Sequence, residues 1–489
     1  MSSVGGVFRH ALVFGTAPAL QKLAALLLLP YFTHFLTEEH YGEIELITFW
    51  TSLFLVLFGC EYRAGFLWRF AAATGPEGRR RIFTVSLWFV LGLALLAMGV
   101  FVVAGPSLLH TQMPSPPAAS LALILGTCLL SDLVGVVLLA TLQAEQRAAR
   151  MVTLSLVQFV LDASLKILFV AYRGMGVEGF FLASAIASVA NTLLALLAVR
   201  GLLTTRITAQ DVRSECAAIL RYSAPLLMGS LAYLLVRKID RPILAEALSL
   251  AAVGVYGRAS RLTQLVLDFY VLPFQRSFDV WRLQVHARRE DLAQVALTYR
   301  WFMLGAGLVA TGVATFGCDL FTGLADVHYA AVREQVPLLN IAVLCQCGAT
   351  VVASAFFVTQ KTGVWMRIFF AGLGIEILVV VLAAKPLGVP GVALALLCTH
   401  GFLYWAAAHF GKHLWPVPYR HGEAMLMILI ASVLSLARIW LPSGPLWLAV
   451  LIDAALVFGY LALALPCARV SRAELSRFCS QLYARVARR

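Results

Sequence analysis

Residues 233–248 read YLLVRKIDRPILAEAL, an apolar stretch in which Arg237, Lys238, Asp240 and Arg241 fill four of five consecutive positions. A charged side chain at the centre of a bilayer-spanning helix costs at least ~2.5 kcal/mol on the mildest insertion scales. Such a group is tolerated against protein or a water-filled cavity, and not against lipid. How the four charges are read therefore depends on whether this stretch crosses a membrane, and beside what.

The rest of the chain answers the first part. Its 489 residues are 61% hydrophobic and only 13% charged, too little polar surface to cover the cores of a soluble protein. Apolar runs of roughly 20 residues, enough to cross a bilayer, recur from end to end. The pattern predicts an all-α polytopic membrane protein with fourteen spans. They lie near 11–36, 42–66, 82–105, 117–141, 152–172, 177–199, 219–245, 252–281, 299–318, 334–358, 364–384, 389–410, 424–441 and 446–466. The run behind MSSVGGVFRHALVFG is too long for a signal peptide and lacks a small-residue cleavage site, so none is expected.

The net charge of +13 raises nucleic acid as a partner, but its distribution points elsewhere. Placing the N-terminus inside puts 25 of the 38 Lys and Arg on cytoplasmic segments, including Arg79-Arg80-Arg81, the 200–221 linker and 282–290. Only Arg173, Arg333 and Lys385 fall on the other side, and by the positive-inside rule both termini are cytoplasmic. The tail VSRAELSRFCSQLYARVARR puts Leu475, Phe478, Leu482 and Val486 at helical spacing among arginines. It reads as an amphipathic helix lying on the inner leaflet. The phospholipid bilayer is thus the expected partner of this charge, and nucleic acid is not. The nine cysteines form no CxxC pair and the histidines no HExxH, so no metal site is expected.

The chain repeats itself at an offset of 212. Pro30 falls on Pro242, Gly42 on Gly254, and Gly176-Val177-Glu178-Gly179 on Gly388-Val389-Pro390-Gly391. Each half holds six spans, an even number, so the halves share one orientation and form a parallel repeat. The expected division is an N-lobe at 1–200, a cytoplasmic linker at 201–218 and a C-lobe at 219–411. Spans thirteen and fourteen follow at 412–466, then the basic tail at 467–489.

Ten Lys and Arg remain within or beside spans: Lys22, Arg63, Lys166, Arg237, Lys238, Arg241, Arg258, Arg261, Arg276 and Arg438. Eight of them belong to spans one, two, seven and eight, the helices matched by the repeat. Residues three or four apart share a helix face, which pairs Arg237 with Arg241 and Arg258 with Arg261. Arg258 and Arg276 stand five turns apart, roughly 27 Å at 1.5 Å per residue, and predict a basic stripe near both ends of span eight. Asp240, Asp268 and Glu61 balance part of the charge or couple its movement. One reading makes these residues the lining of a hydrated, net-positive cavity for an anion, arginine being suited to phosphate and carboxylate. The other makes Arg237–Asp240, Arg261–Asp268 and Glu61–Arg63 ion pairs that hold helices together. Pro18, Pro30, Pro225, Pro242 and Pro273 interrupt the same four helices and permit bends.

These stretches also carry a resemblance. LQKLAALLLLPYFTHFLTEEHYGEIEL resembles the opening of the polysaccharide-biosynthesis flippases of the O-antigen and exopolysaccharide type, through Pro30, Tyr31, Thr33, Leu36, Glu38, Glu39, Tyr41 and Gly42. RYSAPLLMGSLAYLLVRKIDRPILAEALSLAAVGVYGRASRL is similar to the family's seventh-to-eighth helix signature at Pro225, Asp240, Arg241, Gly254 and Tyr256. GCEYRAGFLWRF resembles the end of its second helix at Gly59 and Arg69. Arg237-Lys238 and Arg63 make this chain more basic than a typical member.

The resemblance implies the superfamily that also holds multidrug-and-toxin exporters and the peptidoglycan-precursor flippase. In it, two six-helix lobes form a V-shaped cavity open alternately to either side. It implies a monomeric transporter, not an enzyme, in the bacterial inner membrane. Its cargo would be a polyprenyl-pyrophosphate-linked anionic oligosaccharide moved from the cytoplasmic to the outer leaflet, with a polysaccharide polymerase and glycosyltransferases as protein partners. Arg63, Arg241, Arg258 and Arg261 are expected to engage the anion, supported by Lys22, Arg237, Lys238 and Arg276. Tyr233, Tyr256 and Tyr270 are candidates for stacking on sugar. No cofactor is expected. Moving two negative charges out of a cell held at −100 mV gains about 4.6 kcal/mol, so the membrane potential or a coupled cation suffices, and no Walker GxxxxGK[ST] is present. A multidrug exporter of the same superfamily is the first alternative, disfavoured by the excess of arginine. A membrane glycosyltransferase or polymerase is the second. It calls for a sizeable external loop with acidic or histidine catalysts, whereas Asp319, Asp326 and His328 read as a short solvated loop.

Overall fold

The computed structural model describes residues 30–467 except 111–118, 205–206, 289–290, 326 and 442–444, together with Gln21, Ala24 and Leu28. The described residues are helical, without strands. Twelve helices among them are long and apolar enough to cross a bilayer: Glu38–Ala71, Gly75–His110, Ala119–Ala144, Ala149–Tyr172, Gly176–Leu202, Ala209–Ala247, Ala293–Leu324, Val327–Val358, Thr362–Leu387, Val389–Leu414, His421–Trp440 and Trp447–Cys467. These are spans two to seven and nine to fourteen. Span eight is present as an unbroken helical run over 250–288, with Arg258, Arg261, Asp268, Arg276 and Asp279 along it. Span one falls largely outside the described residues, as do Lys22 and the tail from 468. The layout is consistent with the fourteen spans read from the sequence.

Two compact units divide the chain, residues 1–255 and 256–489. The first is built on an apolar cluster that includes Tyr62, Phe66 and Phe70 of span two, Phe83 and Ala94 of span three, Val137 of span four and Val199 of span six. Span seven joins this unit, with Ile219 in the cluster. The second unit is centred on Phe302, Leu344, Tyr404, Met427 and Tyr460, drawn from spans nine, ten, twelve, thirteen and fourteen.

Spans thirteen and fourteen are fixed by charge as well as by packing. Arg438, 1% exposed, donates to Asp453 at 2.7 Å and also to Asp319, while Arg333 stands 3.7 Å from Asp319. Asp319 was expected in a solvated loop. It lies instead in the last helical turns of span nine, because a guanidinium buried in span thirteen requires carboxylates beside it. The polar group at the start of span thirteen is also tied in: the Tyr299 and Tyr404 hydroxyls stand 2.6 Å apart, and His421 Nδ1 lies 2.9 Å from Tyr404. In the loop before it, burial pushes the Tyr419 hydroxyl well above the usual phenol range, against the pull of Arg282.

The repeat leaves marks in the backbone. Gly176 and Gly388, matched at the offset of 212, both adopt positive φ, 56° and 65°, and both open a span. Gly42 and Gly254, also matched, lie against each other. A Cβ on Gly254 would sit 1.9 Å from the Glu38 carbonyl oxygen, and one on Gly42 2.0 Å from that of Leu250. Spans two and eight each depart from α geometry. Span two breaks at Cys60 and Glu61, with φ of 47° and 50°, and span eight winds into a π-helical turn at Val266–Val271.

Candidate functional site

The candidate residues fall into two groups, one in each unit. In the first unit, spans two and seven run antiparallel and are joined by polar side chains along their length. Arg69 forks onto Glu215 at 2.6 and 3.0 Å, and Arg81 of span three reaches Asp211 at 3.2 Å. Next along, Trp68 and Tyr222 stack with centroids 5.1 Å apart and planes 4° apart. The left-handed turn at Glu61 then turns its groups toward span seven. Its carbonyl accepts from the Ser223 hydroxyl at 3.0 Å and its carboxylate from Ser230. Lys238 donates to Ser52 at 2.9 Å. Beyond it, Arg241 donates to Asp240 at 2.5 Å and to the Arg237 carbonyl at 2.6 Å, with Glu45 3.6 Å away. Past the end of this series, Gly42 of span two meets Leu250 at the start of span eight.

Four of the candidate residues, Glu61, Lys238, Asp240 and Arg241, therefore belong to one interhelical seam. Asp240, Arg241 and Glu45 are all buried, at 0%, 3% and 3% exposure, where an unpaired charge is strongly destabilising. The expected Arg237–Asp240 and Glu61–Arg63 pairs are replaced by others. Arg237 donates to Tyr233 at 2.5 Å and lies over its ring, and it is Arg241 that reaches Asp240. Arg63 is exposed and donates to Gln143 of span four at 2.7 Å, because the break at 60–61 turns its neighbour Glu61 the other way.

In the second unit, Arg258 is 4% exposed, Asp268 is half-buried, and Arg261 and Arg276 are exposed. The single basic stripe expected from Arg258 to Arg276 is not formed. A π turn absorbs one extra residue, which offsets the later part of the helix by about 100° from the α-helical count. Of the three tyrosines, Tyr256 is buried, and Tyr270 donates to the Phe302 carbonyl at 2.9 Å and stacks on that ring. Tyr233 is exposed.

Sequence reasoning counted intramembrane cations and passed over several acids. Glu45 and Glu215 complete the seam. Asp132 of span four accepts from Ser188 at 2.5 Å, and Asp162 of span five pairs with Lys166 at 2.7 Å and accepts from Ser184 at 2.9 Å. The signal was available, since the cost argument applied to arginine holds equally for a carboxylate inside an apolar run.

The family model for polysaccharide biosynthesis proteins matches residues 7–278, more than half of the chain. The chain belongs to that family. The matched region contains every candidate site residue, from Lys22 to Arg276. No curated protein matches the chain. Among solved structures, the lipid II flippase MurJ in an inward closed conformation gives a TM-score of 0.72 at 12% identity, over 93% of this chain and 99% of that one. An inward-facing multidrug resistance MATE family transporter of the MOP superfamily gives 0.64 at 16% identity, over 81% and 97%. An outward-facing one gives 0.52 at 15%, over 83% and 94%. At these identities the likeness establishes the fold, which this family member shares with both kinds of transporter.

Proposed function

We propose that this protein is a flippase. It moves a polyprenyl-pyrophosphate-linked oligosaccharide from the cytoplasmic to the outer leaflet of a bacterial inner membrane by alternating access, for cell-surface polysaccharide synthesis. The observation that carries the reading is the family match over 7–278, which spans the whole set of basic residues. The fold shared with a lipid II flippase supports it. Arg63, Arg237, Arg261 and Arg276 supply the charge that meets pyrophosphate or acidic sugars, since guanidinium forks match phosphate geometry. Arg241 and Arg258, being buried, hold the helices that present them, with Lys22 and Lys238 in support. Asp240, Asp268 and Glu61 balance the charge. Tyr233 offers an exposed ring to a sugar. Both termini and the basic loops face the cytoplasm, and the membrane potential or a coupled cation drives the cycle.

The test is genetic. Deleting the gene is expected to accumulate lipid-linked glycan on the inner leaflet. Arg261→Ala with Arg276→Ala is expected to reproduce that accumulation at normal protein level. Normal export by the double variant would remove these two residues from the binding role, and normal export by the deletion strain would remove the function.

A further inference from the structure

We propose that span seven carries a track for the sugar part of the cargo, with Trp68 and Tyr222 as one rung and Tyr233 as the other. The inference rests on the flippase reading and extends its sugar contact from one ring to a surface. The sugars that fit are pyranoses with mostly equatorial hydroxyls, whose C–H faces lie flat against aromatic rings.

The register of the helix is the first argument. Span seven is α-helical over Ala209–Lys238. Tyr222 and Tyr233 stand eleven residues apart in it, which leaves them about 20° apart around the axis and roughly 16 Å apart along it. They share a face. Both are nearly half exposed, as are Leu226 between them and Trp68 beside Tyr222. Gly229 lies on the same face, and a Cβ added there would meet nothing within 4 Å. The surface between the two rungs is thus low and open, over the length of a few sugar rings.

The second argument is that this face looks on water. Tyr233 falls at the middle of the span expected over 219–245. Arg237, one turn on, donates to its hydroxyl at 2.5 Å and lies over its ring. A lipid-facing arginine past the middle of a span stretches to the nearer surface. Arg237 reaches back toward the middle, where a charge against hydrocarbon costs at least ~2.5 kcal/mol.

The chemistry of the rungs is the third. Trp68 and Tyr222 stack with planes 4° apart, so each spends one ring face on the other and keeps exposed area besides. Trp and Tyr offer a wide, rigid apolar surface with a polar tip, which matches a sugar's C–H face and its rim of hydroxyls. Pro225, inside the helix, has no N–H to give the Arg221 carbonyl four residues back. That oxygen, next to Tyr222, is left by the helix ladder for another donor, and a sugar hydroxyl is one. At the second rung the Arg237 guanidinium suits an acidic sugar. Exposed Trp and Tyr also anchor membrane helices in the headgroup layer, but Tyr233, at mid-span on the same face, has no such layer to meet.

The experiment uses the full chain in lipid nanodiscs, with cellotetraose and cellobiose as soluble probes in saturation-transfer NMR. Irradiating the aromatic protons of the parent is expected to transfer saturation to the axial C–H protons of both sugars. Cellotetraose, long enough to meet both rungs, is expected to titrate more tightly. Tyr233→Leu is expected to lower its affinity several-fold, to that of cellobiose, and Trp68→Leu with Tyr222→Leu to do the same. Trp68→Phe with Tyr222→Phe, which keeps the rings, is expected to retain the parent's affinity. Absence of transfer from aromatic protons, equal affinity for the two sugars, or leucine variants that bind as the parent does would each overturn the track. A deletion strain with normal glycan export, alongside ring-dependent binding of cellotetraose, would sink the flippase reading and leave the track as a sugar site of another kind.

Discussion

Arg241 shows what a single intramembrane charge can be doing. Read from the sequence it is one of a basic cluster awaiting an anion. In the structure it sits among Asp240, Glu45 and the Arg237 carbonyl. Removing one member of a buried ionic set costs about 3–5 kcal/mol, while replacing the whole set by apolar groups is often neutral. Arg241→Met alone is therefore expected to lower the thermal unfolding midpoint in detergent sharply. Glu45→Leu, Asp240→Leu and Arg241→Met together are expected to recover most of it. A single variant as stable as the parent would show that the triad does not hold spans two and seven together. Exposed Arg276 is the contrast, and Arg276→Ala is expected to leave the midpoint unchanged.

At the scale of the helix, the departures from α geometry decide where side chains point. The α-helical count carries well over one or two turns: Arg241 does reach the carbonyl four residues back. It fails over 18 residues of span eight because the π turn at Val266–Val271 intervenes. Neither that turn nor the left-handed pair Cys60–Glu61 has a composition that announces it, since neither contains glycine. A π turn holds one residue more than the α-helix that would replace it. Deleting one residue within 266–271 is thus expected to leave 272–288 seated and the protein folded. Deleting one within 258–263 turns everything after it by about 100° and is expected to cost the fold. Yield of monodisperse protein in size-exclusion chromatography compares the two, and equal yields would refute the absorbed-residue account.

For the whole molecule, the span layout and the repeat were legible because both rest on long runs of apolar residues and on glycines at helix ends. Among the described residues, twelve apolar helices and the helical run of span eight stand where the sequence placed them. The candidate charges were legible too, but their partners were not. A carboxylate such as Glu45 meets an arginine that lies 196 positions further along the chain. Asp319 was hidden for the same reason, its partner Arg438 lying 119 residues on. The orientation assigned from charge has its own check. Cysteines placed at 79 and 206 are expected to react with an impermeant reagent only from the cytoplasmic side, and cysteines at 174 and 387 only from outside. Labelling of 79 and 174 from one side would reverse or break the topology.

The two glycines that fill each other's space have an evolutionary consequence. A duplicated gene usually lets its copies drift apart, each correcting for its own neighbours. Where copy meets copy, at Gly42 and Gly254, a methyl group gained by one strikes main chain beside the other. Descendants of this ancestor should therefore keep that crossing bare on both sides or rebuild the two together, and an engineered half-length homodimer would inherit the same demand twice over from one codon.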